Sequence, residues 1–283
     1  MKRREFLGAA AAAAGGAGAS PQLAIEGGAP VRARPLTKRD WGPQYFDEKE
    51  RQQVEDVLEG RQPFRWNNPL EKSKVARFED EYAARMRTKY CLAVTSGTAA
   101  LHTALAALEV GPGDEVILPA WTWHSCYNTI LALGALPVFA EIDESFNIDA
   151  ADIEHRITPQ TKVIMPVHLQ GNPADMDPVL AIARKHRLRV LEDGSQAVGA
   201  SYKGRPLGSM GDIGIYSLQQ SKTITAGEGG AVVTSDPALF ERAARFHDVS
   251  RPRSDFPARL SQWPGLNYRL NEFSGAVLLA QLR

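Results

Sequence analysis

The chain has 283 residues, of which 43% are hydrophobic and 23% are charged, and its 33 basic residues equal its 33 acidic ones. This length allows one large domain or two smaller ones with a substantial core. The balanced charge gives no electrostatic reason to expect nucleic acid as a partner, and no apolar run reaches the length of a membrane span. The two cysteines, Cys91 and Cys126, lie in apolar surroundings, which favours two buried thiols over a disulfide or a metal site.

The first twenty residues differ in composition from the rest of the chain. Arg3 and Arg4 precede an apolar run rich in alanine and glycine, and residues 17–19 supply a small-residue cleavage pattern. This combination is typical of a twin-arginine export signal. It predicts a signal peptide over residues 1–20 and a periplasmic or exported protein. The alternative is a disordered alanine-rich extension on a cytoplasmic protein.

The next segment, residues 21–66, is rich in proline, glycine and arginine. Its stretch 47–58 places apolar residues on one face among charges, which predicts a surface helix. Residues 62–68 are aromatic and polar, as in a loop that covers a site. A second helix is predicted over residues 72–86 from the helical spacing of its apolar side chains.

Short apolar strands then alternate with helices. The predicted strands span 90–95, 115–119, 137–142, 163–167 and 189–191, and the predicted helices span 98–108, 125–133, 150–157 and 176–186. This alternation indicates an α/β fold with three layers, α/β/α, around a mostly parallel central sheet, and we assign residues 67–250 to this large domain. Ligands of such sheets bind beyond the carboxyl ends of the strands, so functional side chains are expected there.

The stretch Ile213–Val233 contains the residue around which we organise the site. Two strand-like runs flank a turn with Ser217, Lys222 and a Gly-Glu-Gly-Gly sequence, and Lys222 is the single cation of this stretch. A half-buried lysine loses its proton more readily because desolvation disfavours the ammonium. The neutral amine can form a Schiff base with an aldehyde. The alternative, for a lysine taken alone, is a loop side chain that reaches solvent.

Two other strand ends are followed by candidate binding residues. Gly97 and Thr98 follow the first strand and begin a helix. The N–H groups of this helix start can bind an anion, or the segment can be an ordinary helix cap. Trp121 and Trp123 follow the next strand, either as core packing or as a platform for a flat ligand.

The last predicted strand of this series ends in an acidic pair. A carboxylate of the pair Glu192-Asp193 can hold a positive ring nitrogen or cap the following turn, and Gln196 lies one helical turn further on. Ser217 can supply a phosphate hydroxyl or bond to its own backbone. Together with Lys222, these residues meet the needs of pyridoxal phosphate. The protein must anchor its phosphate, keep its ring nitrogen protonated and hold its aldehyde.

The candidates belong to a longer pattern of motifs. The pattern comprises Ser96–Thr98, Gly113–Ile117, Pro119–Trp123, Pro166–His168, Glu192–Ala197, Ser217–Gly230 and Gly265–Leu270. On these motifs the chain resembles the DegT/DnrJ/StrS family of pyridoxal-phosphate-dependent sugar aminotransferases, over residues 23–283. The resemblance implies the aspartate-aminotransferase fold (fold type I), a homodimer with shared active sites and a place in polysaccharide biosynthesis.

The resemblance also implies a role for each candidate residue. Lys222 would form the Schiff base and act as general base, and Asp193 would pair with the pyridine nitrogen. Gln196 would approach the ring hydroxyl, and Trp123 would stack on the ring. The phosphate would be held by Gly97, Thr98 and Ser217, and the segment containing Asn267 and Arg269 would reach the cofactor of the neighbouring subunit.

The implied reaction moves an amino group from glutamate or glutamine to a keto-sugar, usually a nucleotide-linked one. A dehydratase or lyase on the same cofactor is one alternative, although dehydratase relatives carry histidine at the position of Lys222. A non-catalytic protein that binds sugar or cofactor is another. A nicotinamide-binding sheet is set aside because no Gly-x-Gly-x-x-Gly begins a helix after the first strand.

Two features depart from the family pattern. Family chains continue into a small C-terminal domain, so residues 251–283 are expected to begin a connection to a domain that is largely absent from this chain. An export signal is also unexpected for an enzyme whose nucleotide-sugar acceptor and glutamate donor are supplied in the cytosol.

Overall fold

The computed structural model describes residues 23–30, 46–69, 72–251 and 264–282. The predicted export signal, residues 1–20, lies outside these ranges. The chain divides into two units, Met1–Asp40 and Trp41–Arg283. In the first unit the described residues form one 3-10 turn, Ala24–Glu26. All elements named below belong to the second unit.

Eight α-helices lie within the described ranges. They are α1 (Glu48–Gly60), α2 (Lys74–Met86), α3 (Gly97–Ala107), α4 (Ser125–Ala132), α5 (Ala150–Arg156), α6 (Met176–His186), α7 (Pro237–His247) and α8 (Glu272–Gln281). Most begin at a side chain that accepts a hydrogen bond from a first-turn N–H group, which satisfies a donor that the helix itself leaves unpaired. These caps are Asp47, Ser73, Ser96, Asp149, Asp236 and Asn271.

The described strands form a seven-stranded sheet and a short hairpin. They are β1 (Tyr90–Val94), β2 (Glu115–Pro119), β3 (Leu136–Ala140), β4 (Thr161–Ile164), β5 (Arg189–Asp193), β6 (Ser201–Tyr202), β7 (Arg205–Pro206), β8 (Ile213–Ser217) and β9 (Gly230–Thr234). The sheet has the order β1-β9-β8-β5-β4-β2-β3, and β6 pairs with β7.

Six of the seven strands in the sheet run in the same direction. The pairs from β8 through β5, β4 and β2 to β3 are parallel, whereas β9 is antiparallel to both β8 and β1. Because β9 alone is reversed, β1 runs parallel to β8. The carboxyl ends of these six strands therefore lie at one edge, and the prediction of a mostly parallel sheet is confirmed.

Side chains along the strands alternate between two helical layers. Leu92 and Val94 of β1 pack in a core cluster with α3 and α7, whereas Cys91 and Ala93 pack with α2 and α8. Further along the sheet, Ile117 of β2 packs with α5 and α6. Burial with a period of two on both faces is what a sheet covered on both sides requires. It gives the three layers that the sequence predicts.

The observed boundaries differ from the predicted ones by a few residues. β4 ends at Ile164 rather than at 167, and Pro166 has no N–H group to continue a ladder. β5 extends to Asp193, whose backbone pairs with Ile215 of β8. The backbone of Asp193 is therefore fixed by the sheet itself.

Two predictions from composition can be compared with the structure. Cys91 and Cys126 are both buried free thiols, which confirms that interpretation. Within the ranges that the structure describes, no helix combines the length and the apolar character needed to cross a bilayer.

Candidate active site

The start of α3 and the end of β8 lie in direct contact. A Cβ atom at Gly97 would lie 2.7 Å from Cβ and 3.1 Å from Oγ of Ser217. A Cβ atom at Gly230, the first residue of β9, would lie 2.3 Å from the carbonyl oxygen of Ser96. Glycine at both positions therefore lets the turn after β1 lie against the neighbouring strands. Two predicted phosphate ligands, Gly97 and Ser217, are brought together by this packing.

Both interpretations of the α3 start apply, each to different N–H groups. Ser96 is the N-cap, and its Oγ accepts a hydrogen bond of 3.0 Å from the N–H group of Ala99. Within the described part of the chain, the N–H groups of Gly97 and Thr98 make no hydrogen bond. The helix therefore presents two open donors, which suit an anion. The Thr98 hydroxyl lies 2.9 Å from that of Ser125 at the start of α4.

The loop between β8 and β9, residues 218–229, is tied together by its own hydrogen bonds. Leu218 donates from its N–H group to the carbonyl oxygen of Gly229 at 2.9 Å, and Ala226 donates to that of Leu218 at 3.2 Å. The buried hydroxyl of Thr225 also donates to the Leu218 carbonyl, at 3.0 Å. The backbone of Lys222 donates to Gln219 at 2.9 Å. Lys222 is thus held in a compact loop.

The electrostatic surroundings of Lys222 favour the neutral amine. The side chain is partly buried, and burial lowers the pKa of Lys222 below its ordinary value, while the charge of Asp193 acts in the opposite direction and offsets only part of the effect. In the described residues Nζ has no hydrogen bond or ion pair. A half-buried amine without a fixed partner is suited to nucleophilic attack and proton transfer. The alternative of an ordinary solvent-facing lysine is therefore disfavoured.

Asp193 is 3% exposed and held on both carboxylate oxygens. Oδ1 accepts a hydrogen bond of 2.9 Å from the N–H group of Ser195, which is the capping role considered for this residue. Oδ2 accepts one of 3.2 Å from Sγ of Cys126. Each oxygen of a carboxylate can accept more than one hydrogen bond, so capping leaves capacity for a ring N–H group.

Glu192, the adjacent acid, has a different role. Its side chain is fully buried, with Oε2 3.1 Å from Nε2 of His168 and 2.8 Å from the N–H group of Gly208. It also accepts hydrogen bonds from the N–H groups of Met210 and Gly211. Successive side chains of a strand point to opposite faces. Glu192 therefore binds the loop before β8, and Asp193 remains for the site.

Gln196 and Trp123 each have a part of the side chain that can contact a ligand. Oε1 of Gln196 accepts a hydrogen bond of 2.7 Å from the N–H group of Gln170, so its NH₂ group is the end that can donate to a ring hydroxyl. Trp123 is 60% exposed, and its ring lies 4.4 Å from that of His124. Such exposure excludes core packing for Trp123 within this chain and favours a platform.

The segment with Asn267 and Arg269 lies beside the end of β1. Arg269 forms a bridge with Val94, and Asn267 forms one with Asp248. The guanidinium of Arg269 pairs with the carboxylate of Asp248 of the same chain. These contacts place the segment at the carboxyl edge of the sheet. Its predicted reach into a neighbouring subunit stays a prediction.

Comparison with known proteins agrees with this geometry. The sequence pattern of the DegT/DnrJ/EryC1/StrS aminotransferase family matches residues 44–283. The chain belongs to this family. It is 44% identical over 211 residues to GDP-perosamine synthase of Caulobacter vibrioides, covering 74% of this chain and 56% of that protein. It is 37% identical over 274 residues to L-glutamine:2-deoxy-scyllo-inosose aminotransferase of Streptoalloteichus tenebrarius, covering 92% and 63%.

Solved structures of the family share the fold. The crystal structure of 3-amino-5-hydroxybenzoic acid synthase superposes with a TM-score of 0.79 at 41% identity, covering 86% of this chain and 62% of that one. This chain spans about three fifths of the length of the relatives it matches.

Aminotransferases of the DegT/DnrJ/EryC1/StrS family depend on pyridoxal 5′-phosphate, and the residues of this site fit that cofactor. The two open N–H groups of α3 and the adjacent Ser217 suit a phosphate. The buried carboxylate of Asp193 suits a protonated ring nitrogen, and Lys222 suits an aldehyde carbon. This donor set matches the three parts of the cofactor that a protein must bind.

Sequence reasoning missed the part that Cys126 takes in this site. The sequence predicts a buried free thiol at Cys126, and in the structure this thiol also donates a hydrogen bond to Asp193. One signal was present: Cys126 lies three residues after Trp123, at the start of a helix that follows a strand end. Its partner, 67 positions further along the chain, could not be identified without the order of strands.

Proposed function

We propose that this protein is a pyridoxal-phosphate-dependent aminotransferase that moves an amino group from glutamate or glutamine to a keto-sugar. The observation that carries the proposal is Lys222, a half-buried amine with a lowered pKa that interacts with the buried carboxylate of Asp193. A binding protein would not require a lysine to be kept unpaired at this position. The presence of lysine rather than histidine also favours transfer over dehydration.

The acceptor class is supported by the relatives. One is named for the synthesis of GDP-perosamine, and another is named as an aminotransferase from L-glutamine to 2-deoxy-scyllo-inosose. We propose that the acceptor of this protein is a polyhydroxylated cyclic ketone, and that it is most simply a nucleotide-linked keto-sugar. Another relative, the spore coat polysaccharide biosynthesis protein SpsC of Bacillus subtilis, is 42% identical over 219 residues. This similarity supports a place in polysaccharide biosynthesis.

The side chains divide the chemical work among them. When bound, the cofactor would supply an aldehyde that takes up the amino group and a ring that accepts the electron pair left at the Cα atom of the amino donor. Lys222 would hold the aldehyde carbon, and once the amino donor has displaced it, its neutral amine would take the proton from the donor's Cα. Asp193 would accept a hydrogen bond from the ring nitrogen and stabilise its positive charge. Gly97, Thr98 and Ser217 would bind the phosphate.

Gln196 and Trp123 would orient the ring of the cofactor. With Oε1 of Gln196 held by Gln170, its NH₂ group would donate to the ring hydroxyl, and the exposed indole of Trp123 would cover one face of the ring. Orientation matters because proton removal requires the Cα–H bond of the donor to stand perpendicular to the plane of the electron-accepting ring.

The active form is proposed to be a homodimer in which Asn267 and Arg269 approach the partner's cofactor. The exposed indoles of Trp121 and Trp123, at 61% and 60%, support an open site that a second subunit covers. Mixing two inactive variants, Lys222→Ala and Asn267→Ala, tests this arrangement. Mixed dimers then contain one intact site and regain activity that neither variant has alone. Mixtures that stay inactive, although mixed dimers form, contradict shared sites.

The reaction itself is tested with the Lys222→Ala variant and a matched lysine control. Lys203→Ala removes an exposed lysine that pairs with Asp177 at the surface. With pyridoxal phosphate, L-glutamate and a keto-sugar, the parent and Lys203→Ala should form 2-oxoglutarate and aminated product in equal amounts, and Lys222→Ala should form neither. Conversion of the keto-sugar to a product that is not aminated, with no 2-oxoglutarate formed, would indicate a dehydratase or lyase. Cofactor binding with no reaction on adding either donor would indicate a binding protein.

A further inference from the structure

We propose that Cys126 is a positioning residue for this reaction: its thiol donates a hydrogen bond to Asp193 and thereby directs the other carboxylate lone pairs toward the cofactor's ring nitrogen. The inference rests on the proposed function, because that function makes the ring nitrogen the partner of Asp193. The residue contacts neither substrate nor cofactor in this arrangement and acts through Asp193 alone.

The hydrogen-bond directions around Cys126 follow from the available protons. Sγ lies 3.2 Å from Oδ2 of Asp193 and 3.3 Å from Oγ1 of Thr122. A carboxylate can only accept, so the thiol proton points to Asp193. The hydroxyl of Thr122 is then the donor to the sulfur. The chain of donors Thr122 to Cys126 to Asp193 is polarised in one direction, and it lies just beyond the end of β2.

The thiol remains a donor at every pH at which the enzyme would work. Cys126 is fully buried. Burial raises the pKa of its thiol well above the ordinary value, and the neighbouring charge of Asp193 raises it further. A thiolate at this position would have no proton to donate and would repel the carboxylate. The thiol is therefore a permanent donor rather than a reactive nucleophile.

Asp193 is fixed by two anchors on different elements. Oδ2 is held by Cys126 of α4, and Oδ1 is held by the N–H group of Ser195 after β5. Rotation of the carboxylate plane would break at least one of these bonds. Among the residues that the structure describes, the charge of Asp193 acts on the pKa values of Cys126, from α4, and Lys222, from the β8–β9 loop. Precise orientation of a buried acid is what a ring nitrogen needs for a short, charged hydrogen bond.

The hydrogen bond is tested first in the protein without cofactor, by the infrared S–H stretch. The band of Cys126 is expected at lower frequency than that of Cys91, a buried thiol in another core cluster. Asp193→Asn should raise the frequency of the Cys126 band and leave that of Cys91 unchanged. A Cys126 band that does not respond to Asp193→Asn overturns the inference.

The consequence for the site is tested with pyridoxal phosphate and three variants. Cys126→Val removes the donor and enlarges the side chain, a size change that the control Cys91→Val reproduces at another buried site, whereas Cys126→Ser keeps a donor. Cys126→Val should raise the dissociation constant of pyridoxal phosphate about tenfold and shift the pH midpoint of its visible absorption band. Cys126→Ser should restore both values to near those of the parent. Cys91→Val is the matched core control and should change neither.

The outcomes separate this inference from the proposed function. A Cys126→Val variant with the parent's affinity and pH midpoint contradicts the positioning role. Equal losses in Cys126→Val, Cys126→Ser and Cys91→Val also contradict it, since they would indicate core packing alone. If the parent shows the shifted S–H band but binds no pyridoxal phosphate, the proposed function is contradicted. The role of Cys126 in the reaction is then contradicted as well, whereas its hydrogen bond to Asp193 is confirmed.

Discussion

Replacing Gly97 with alanine should separate the start of α3 from the end of β8. The new Cβ atom would lie 2.7 Å from Cβ, 3.1 Å from Oγ and 3.2 Å from Cα of Ser217. Ser217 cannot move freely, because its backbone pairs with Gly230 of β9. The clash therefore has to displace the first turn of α3, the Ser217 side chain or both.

The size of the effect follows from what the displacement removes. Overpacking a close contact costs about 1–3 kcal/mol of folding stability. Loss of one hydrogen bond to a charged phosphate costs about 1.5–3 kcal/mol of binding free energy. The dissociation constant of pyridoxal phosphate should thus rise about ten- to hundredfold. The free energy of unfolding of the cofactor-free protein should fall only by the overpacking cost, about 1–3 kcal/mol.

A double-mutant cycle isolates the contact. Cofactor affinity is measured by absorbance titration, and stability by urea unfolding, for Gly97→Ala, Ser217→Gly and the double variant. Because Ser217→Gly removes the two closest of the clashing atoms, Cβ and Oγ, the double variant should bind about as well as Ser217→Gly alone. Gly60→Ala is the control, since a Cβ atom there has no neighbour within 4 Å. Parent-like affinity for Gly97→Ala, or additive losses in the double variant, would refute the reasoning.

Three further predictions concern other parts of the chain. The pKa of Lys222 is lower in the folded protein than its ordinary value, so Lys222→Met should stabilise the cofactor-free protein at neutral pH. Between these two pKa values the unfolded state of the parent binds more protons than the folded state. The free energy of unfolding of the parent should therefore rise with pH across this range. Urea unfolding of Lys222→Met should lack this slope, and an equal slope would count against the pKa shift. Glu192→Ala leaves unpaired the buried N–H donors of Gly208 and Met210 and the part-buried one of Gly211, and it should cost at least about 3 kcal/mol. Glu55→Ala, at a half-exposed surface ion pair, should cost at most about 0.5 kcal/mol, and similar urea midpoints for the two variants would be inconsistent with this. A tagged protein should be recovered outside the cytoplasm without residues 1–20, and Arg3→Lys with Arg4→Lys should block this; an exported protein that retains Met1 would exclude cleavage.

Much of the fold could be predicted because its signals are local. The alternation of short apolar runs with helical spacing is a property of neighbouring residues, so the α/β class and most element positions follow from it. The strand ends then indicate where Asp193, Ser217 and Lys222 lie. The reversed direction of β9 was not predictable in this way. That reversal allows β1 to run parallel to β8 and brings Gly97 against Ser217.

Other features of the site depend on long-range packing that no local pattern records. The division of roles between Glu192 and Asp193 follows from which face of β5 meets which helical layer. The choice between platform and core for Trp123 needed its 60% exposure. The bond from Cys126 to Asp193 needed the spatial order of β2, β4 and β5. In each case the residue type was visible in the sequence, and its partner was not.

The central claim is that Lys222 holds an aldehyde cofactor covalently. Its most direct test is to add pyridoxal phosphate, reduce with borohydride and map the modified peptide by mass spectrometry. The account predicts one reduced adduct, on Lys222, that is absent from Lys222→Ala and does not involve the exposed Lys203. An adduct spread over surface lysines, or none at Lys222 under saturating cofactor, would contradict it.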